Sequence, residues 1–346
     1  MTKNNDNSLQ GVQYLRAILV FLVVVDHAGI LISLGKYYGI EVIPSYINFF
    51  GVVGVNIFFM VSGFIIVYTS TAKHSMDLTV VSVGDFLKKR ALRLLPIMWI
   101  SIVAYALLKR IGRGEWGDVD EYVTAVFLYP FADINPTQLW TLRHEVYFYI
   151  IFAFSLLFAR SWIVPVFLWF VSPFLLFEKN DMIFEFFFSP FNLLFGFGVV
   201  LCLFRKKINF QFKENSNTWF GVMFVGSLLI AFLCGIIDYS HKSLYTVFVF
   251  GVFGSIIVLV SVLMPMKISG VFGKILGVCG DASYSIYLFH GIFLSAIIGY
   301  LSKFKDQFNV YLTFMIVVIL TMALGVLVYF FVEKKIVGFL KSKFYS

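Results

Sequence analysis

Apolar residues in this chain come in long unbroken runs, and the polar residues are gathered into short segments between them. A soluble helix with one wet face would instead show apolar positions recurring every three or four residues. Ten runs have the character of membrane-crossing helices and lie near 14–34, 49–70, 94–108, 139–159, 162–177, 186–204, 219–238, 244–264, 284–301 and 311–332. A hydrocarbon core of about 30 Å needs about 20 helical residues. The third and fifth runs are shorter and are expected to tilt, break or pack inside the bundle. The pattern predicts an all-α polytopic membrane protein of about 10 transmembrane helices, with a short N-terminal tail (1–13), one membrane-embedded domain (14–332) and a short basic C-terminal tail (333–346). No repeat or linker divides the chain, so its activity is expected to reside in the bundle.

Composition removes the soluble alternative. Of 346 residues, 60% are hydrophobic and 13% charged, about half the charged share of a soluble domain. The 43 Phe, 18 Tyr and 6 Trp suit lipid contact and interfacial belts. The net charge of +8 raises the question of a nucleic-acid partner, but in a polytopic protein a basic surplus belongs to cytoplasmic loops. With the N-terminus inside, the inner segments hold 18 Lys and Arg and the outer ones 8, which predicts cytoplasmic termini. Nucleic acid is not an expected partner. Cys202, Cys234 and Cys279 are odd in number and scattered, so neither a disulfide framework nor a CxxC metal signature is expected. No small-residue cleavage site follows the first run, which reads as a retained helix.

Ionisable groups inside spans are the informative residues, because a charge at a helix centre is penalised by about 2.5–3.5 kcal/mol even on the lenient insertion scale. The first span, YLRAILVFLVVVDHAGI, carries Arg16, Asp26 and His27. An eleven-residue step on a helix turns about 1100°, roughly 20° past three full turns, so Arg16 and His27 share a face. The same step advances about 16 Å, which places His27 near mid-membrane if Arg16 lies at the inner surface. Imidazole exchanges a proton near neutral pH, so His27 suits general acid–base work or a proton relay, as well as plain interhelical bonding.

Four further stretches carry candidate chemistry. GVNIFFMVSGFII sets Ser62 and Gly63 where a helix packs closely or lines a cavity. FLKKRALRLLPIMW places Arg90 and Arg93 three apart on one face, a guanidinium pair suited to phosphates as well as to anchoring. LWTLRHEVYFY brings Trp140, Arg143, His144 and Glu145 together just below an outer helix end, where either a polar cavity or an ion pair must receive them. DASYSIYLFHGI aligns Ser283, Tyr287 and His290 on one face as a hydrogen-bonding stripe, fit for a substrate path or for helix–helix bonds. The histidines are not spaced as HExxH or any closed ligand set, and no metal is expected.

These motifs together resemble the acyltransferase type 3 family of membrane proteins, most nearly its members that O-acylate exopolysaccharides and other surface sugars. The likeness spans most of the chain. It rests on LQGVQYLRAILVFLVVVDHAG, with Arg16 and His27 at the family's spacing, and on GVNIFFMVSGFII, KRALRLLPIMW, LWTLRHEVYFY and SYSIYLFH in the family's order. The resemblance implies a bundle of about 10 helices in the cytoplasmic membrane that passes an acyl group, usually acetyl, from acetyl-CoA or another cytoplasmic acyl-CoA to a hydroxyl of a glycan acceptor. On this likeness His27, Glu145 and Arg16 are the catalytic positions. Arg90 and Arg93, with Ser62, are the cofactor-binding ones, and Asp26, Trp140, Arg143, Tyr287 and His290 are the substrate-binding ones. The sequence departs from the pattern at Arg143 and His144, and at Asn192, where relatives commonly carry Glu. The competing expectation, from a different class, is a proton-coupled transporter or exporter using His27, Asp26 and Glu145 as a relay; the missing inverted repeats weigh against it.

Overall fold

The structure, a computed structural model, describes residues 6–44, 49–72, 77–79, 82–176, 182–207, 218–219, 221–226, 229, 243–263 and 268–344. Most of the described residues are helical, and no β-strand occurs among them, apart from one isolated bridge between Thr71 and Leu78. The helices are α1 (Asp6–Ser33), α2 (Phe50–Ser70), α3 (Val83–Arg113), α4 (Val119–Phe127), α5 (Trp140–Ser155), α6 (Ile163–Leu176), α7 (Met182–Phe187), α8 (Phe191–Lys207), α9 (Leu244–Leu263), α10 (Gly270–Asp281), α11 (Ser283–Leu301), α12 (Val310–Val328) and α13 (Lys334–Phe344). Eight helical stretches among the described residues are long and apolar enough to cross a membrane. The chain is a polytopic membrane protein, as the runs of apolar residues require.

Most expected spans coincide with observed helices, and the differences have physical reasons. The span expected at 219–238 lies largely outside the described residues, as does Cys234. The fifth, 162–177, is the 14-residue helix α6, too short to span unaided. The third is not short: α3 runs for 31 residues and continues through Pro96. Its charged flanks hide this length, because Lys, Arg, Leu and Ala all favour helix and the long cationic side chains reach water from a helical backbone. The expected tails are helical as well, over Asp6 to the first span and over Lys334–Phe344, where the lysines of the C-terminal one reach water in the same way. Between α12 and α13 lies one π-helical turn, Tyr329–Glu333, which carries the helix into its basic end without a break.

The chain divides into two compact units. The first comprises Met1–Leu19, Val52–Arg90 and His144–Gly280. Here α2 and α8 meet backbone to backbone at two glycines. A Cβ on Gly63 would stand 2.2 Å from the carbonyl oxygen of Phe195, and one on Gly198 would stand 2.0 Å from that of Met60. Without the glycines the two helices could not approach so closely. Beside this seam an aromatic core forms, with Phe148 stacked on Phe195 at 4.6 Å and on Trp169 at 5.4 Å between ring centres.

The second unit comprises Val20–Gly51, Ala91–Arg143 and Asp281–Ser346. Helices α11 and α12 pack along one another, joined by a short connection whose Asn309 side chain accepts the N–H groups of Tyr311 and Leu312 at the start of α12. Tyr284 donates its hydroxyl to the Leu94 carbonyl at 2.8 Å, tying α11 to α3. The π turn leaves Glu333 buried, where its carboxylate accepts the hydroxyl of Ser285.

Candidate functional site

In the second unit, the end of α1 brings Asp26 and His27 beside the start of α2 and one face of α11. Nδ1 of His27 lies 2.9 Å from the carbonyl oxygen of Val23, one turn back on its own helix. A carbonyl only accepts, so Nδ1 carries the proton, and in the neutral ring Nε2 keeps its lone pair. The backbone of α1 thus sets the tautomer, and no carboxylate is needed for that purpose. The ring is half-buried, which leaves a base at depth with some access.

Asp26 is buried and accepts the backbone N–H groups of Phe50 and Gly51, at the first turn of α2. It serves as a cap for that helix, where exposed amides and the helix dipole favour a carboxylate. The approach is close: a Cβ on Gly51 would stand 2.6 Å from Oδ2 of Asp26. The other oxygen, Oδ1, is buried and has no hydrogen-bond partner among the described residues.

From α11, His290 sets its ring 4.9 Å from that of His27, with the planes 77° apart. It is buried, and its Nδ1 donates to the Tyr287 carbonyl. The Tyr287 hydroxyl donates to the carbonyl of Gln138 at 3.1 Å and pairs with the Thr141 hydroxyl at 2.8 Å. Gln138 in turn donates its amide to the Leu288 carbonyl at 2.8 Å. Residues 287–288 of α11 are therefore fastened to the turn that opens α5. Of the expected stripe, His290 meets His27 and Tyr287 lies against His290, 5.6 Å between ring centres, while Ser283 is buried with its hydroxyl unpaired among the described residues. Trp140, the first residue of α5, is half-buried. Arg143 donates to the Ala132 carbonyl at 2.7 Å and so braces a loop. Arg93 is exposed.

A separate group of expected residues forms in the first unit. Glu145 accepts the hydroxyl of Ser62 at 3.3 Å and, through the same oxygen, the hydroxyl of Tyr149. The ring of Tyr149 lies under the guanidinium of Arg90, 5.7 Å from its centre, and Phe86 flanks the same guanidinium at 5.4 Å. Arg90 also donates to Thr69 at 3.0 Å. A cation, a phenol, a carboxylate and a hydroxyl thus follow one another, with the cation held between two aromatic faces. Close by, Lys206 donates to the Thr71 hydroxyl and the Ala72 carbonyl. Arg16 is half-buried in the part of α1 belonging to this unit. Asn192, at the family's usual Glu position, is buried and donates to the Phe187 carbonyl at 2.9 Å.

Three participants escape a reading of the sequence. Tyr149 stands four residues after Glu145, a helical spacing that could have pointed to it. Gln138 lies in the short 3-10 turn before α5 and Thr141 in the first turn of α5, where no periodicity marks them.

The comparison with known proteins turns on the match to one family profile, that of the acyltransferase domain of acyltransferase type 3 proteins, which covers residues 9–330. The chain belongs to this family. A curated relative, the exopolysaccharide production protein ExoZ of Rhizobium meliloti (strain 1021), is 27% identical over 263 residues, covering 71% of this chain and 78% of the relative. No solved structure matches. Membership accounts for the motifs in order, and with the long apolar helices it makes this acyltransferase a multi-pass membrane protein.

Proposed function

We propose that this acyltransferase moves an acetyl group from cytoplasmic acetyl-CoA to a hydroxyl of an exported polysaccharide or its lipid-linked precursor, in the cytoplasmic membrane and with both termini inside. The observation that carries the reading is His27: a half-buried imidazole whose Nδ1–H is spent on the Val23 carbonyl, which leaves Nε2 as a base. The exopolysaccharide role named for ExoZ supports the class of acceptor.

On this reading the acceptor hydroxyl gives its proton to Nε2 of His27 as its oxygen attacks the thioester carbonyl. The C–S bond then breaks, the ester is formed, and the proton returns to the departing CoA sulfur. Oδ1 of Asp26, an acceptor in reserve, suits a second hydroxyl of the glycan; Tyr287, Trp140 and Arg143 line the acceptor side. The phosphates of CoA are assigned to Arg90 and Arg93, with Ser62 near them, and Arg16 orients the donor end. Glu145 organises the hydroxyls of Ser62 and Tyr149 and so keeps the Arg90 group in shape.

The test is release of free CoA thiol by purified protein in detergent, supplied with acetyl-CoA and a bacterial exopolysaccharide, for wild type, His27→Ala and Glu145→Gln at equal abundance. Acceptor-dependent thiol release that His27→Ala abolishes upholds the reading. Absence of any thiol release from the wild type overturns it in favour of a proton relay.

A further inference from the structure

The transfer reaction uses one imidazole, yet two meet in the second unit. His290 is 1% exposed, as buried as the apolar core residues of α11 around it. A Phe would fill a ring-shaped space there without burying two nitrogens, so an imidazole at this depth calls for an explanation. One nitrogen is accounted for by the Tyr287 carbonyl. That bond directs the remaining lone pair, on Nε2, away from the backbone of α11.

Geometry limits what the second ring can do. His27 is held from one side by its own helix, through Nδ1 and Val23. A single hydrogen bond still permits the ring to tilt about that contact. The edge-to-face approach of His290, 4.9 Å between centres and 77° between planes, blocks the tilt from the other side. The blocking ring is itself rigid, because Tyr287 and Leu288 are fastened to Gln138 and Thr141 by three hydrogen bonds. In the neutral state both rings spend Nδ1–H on carbonyls of their own helices, so neither can donate to the other. When His27 takes a proton at Nε2 and becomes a cation, the nearest imidazole still offers a lone pair. The other ionisable group beside His27 is Asp26, whose carboxylate is engaged by the amides of Phe50 and Gly51.

We propose that His290 is a positioning residue for the reaction: it holds the plane of the His27 ring, whose tautomer the Val23 carbonyl sets, and presents an uncharged nitrogen to it as the proton arrives. This rests on the acyl-transfer reading above. Misplacing a base by the tilt that His290 prevents costs about tenfold to a hundredfold in rate.

The experiment uses the full chain in lipid nanodiscs, labelled with 15N-histidine, as wild type, His290→Phe and His290→Gln. Five histidines give a spectrum that single His→Gln variants assign. In the wild type His27 is expected as one tautomer, protonated on Nδ1. His290→Phe keeps the ring and its volume but has no nitrogen, and is expected to shift the His27 Nε2 signal, with kcat for acetyl transfer about tenfold or more lower and KM for acetyl-CoA within about twofold. His290→Gln restores an acceptor near the lost Nε2 and is expected to recover part of the rate. His27 signals in His290→Phe that superimpose on wild type would overturn the proposal, and so would a fall in kcat that Gln leaves wholly unrelieved. If His290→Phe does not fold, the same spectral comparison is made on His290→Ala, which removes both the ring and its nitrogen, and unchanged His27 signals there would overturn the proposal in the same way. A wild type that transfers nothing while its His27 signals respond to His290 would sink the acyl-transfer reading and leave the pairing standing.

Discussion

Replacing Gly198 by Ala sets two well-measured effects against each other, and the sign of the outcome is diagnostic. In a helix interior Ala is favoured over Gly by about 0.8–1.0 kcal/mol, so the change by itself stabilises. At this site the new methyl would lie 2.0 Å from the Met60 carbonyl oxygen and 2.8 Å from the Phe64 nitrogen, where ordinary contact begins at 3.4 Å. Both atoms are backbone of α2 and cannot swing aside, so α8 must retreat by roughly 1 Å or more. Overpacking of this kind costs about 1–3 kcal/mol. A gap of 0.5–1 Å along the flanking contacts also forfeits about a quarter to a half of each van der Waals well. The net expectation is a loss of about 1–2 kcal/mol despite the better helix former. Gly338→Ala in α13 is the control, since nothing lies within 4 Å of a Cβ there. The assay is thermal unfolding of the purified protein in one detergent, with Gly198→Ala expected to melt a few degrees below wild type and Gly338→Ala at or above it. If Gly198→Ala melts at or above wild type alongside the control, the reasoning from the α2–α8 seam is wrong.

Other outcomes follow from single contacts. Tyr149→Phe keeps the ring beneath Arg90 but removes the O–H donated to Glu145, and is expected to cost about 1–2 kcal/mol in thermal unfolding and to weaken binding of acetyl-CoA more than turnover. Asp26→Ala strips the first turn of α2 of its cap and should lower stability by about 1–2 kcal/mol, whereas Asp26→Asn retains an acceptor and should lose less, by the same unfolding assay. Burial pushes the Cys279 thiol above its ordinary range. Less of it is thiolate at any given pH, so iodoacetamide is expected to label it more slowly than in the unfolded chain, the rate rising as pH rises, as followed by mass spectrometry of its peptide.

How far the sequence discloses this molecule depends on the range of the interaction concerned. Spanning helices are local statements about transfer free energy, and nearly every one is readable from the runs. Their ends are less so: α3 and the last helix continue through Lys and Arg, which end an apolar run without ending a helix. The face shared by Arg16 and His27 follows from helical period alone. The partners of His27 do not. His290 is brought to it from the far part of the chain, and its place in a stripe with Tyr287 reads equally well as a substrate path or as a brace. Asp26 is expected among substrate-binding residues, yet its bond to the Phe50 and Gly51 amides depends on where a loop returns the chain, which no period encodes. Glu145 is legible as an intramembrane carboxylate, and the hydroxyls it gathers from Ser62 and Tyr149 only partly so.

The π turn at Tyr329–Glu333 has an evolutionary consequence. Such a turn accommodates one residue more than its α counterpart, and each extra residue advances everything downstream by about 100°. It works as a phase adjuster: α12 can stay in register with α11 while the lysines from Lys334 onward take whatever azimuth their surroundings demand. Single-codon insertions and deletions are therefore best absorbed at this joint, where the spare residue already sits, and worst absorbed in α11, where the same slip would swing His290 away from its partner.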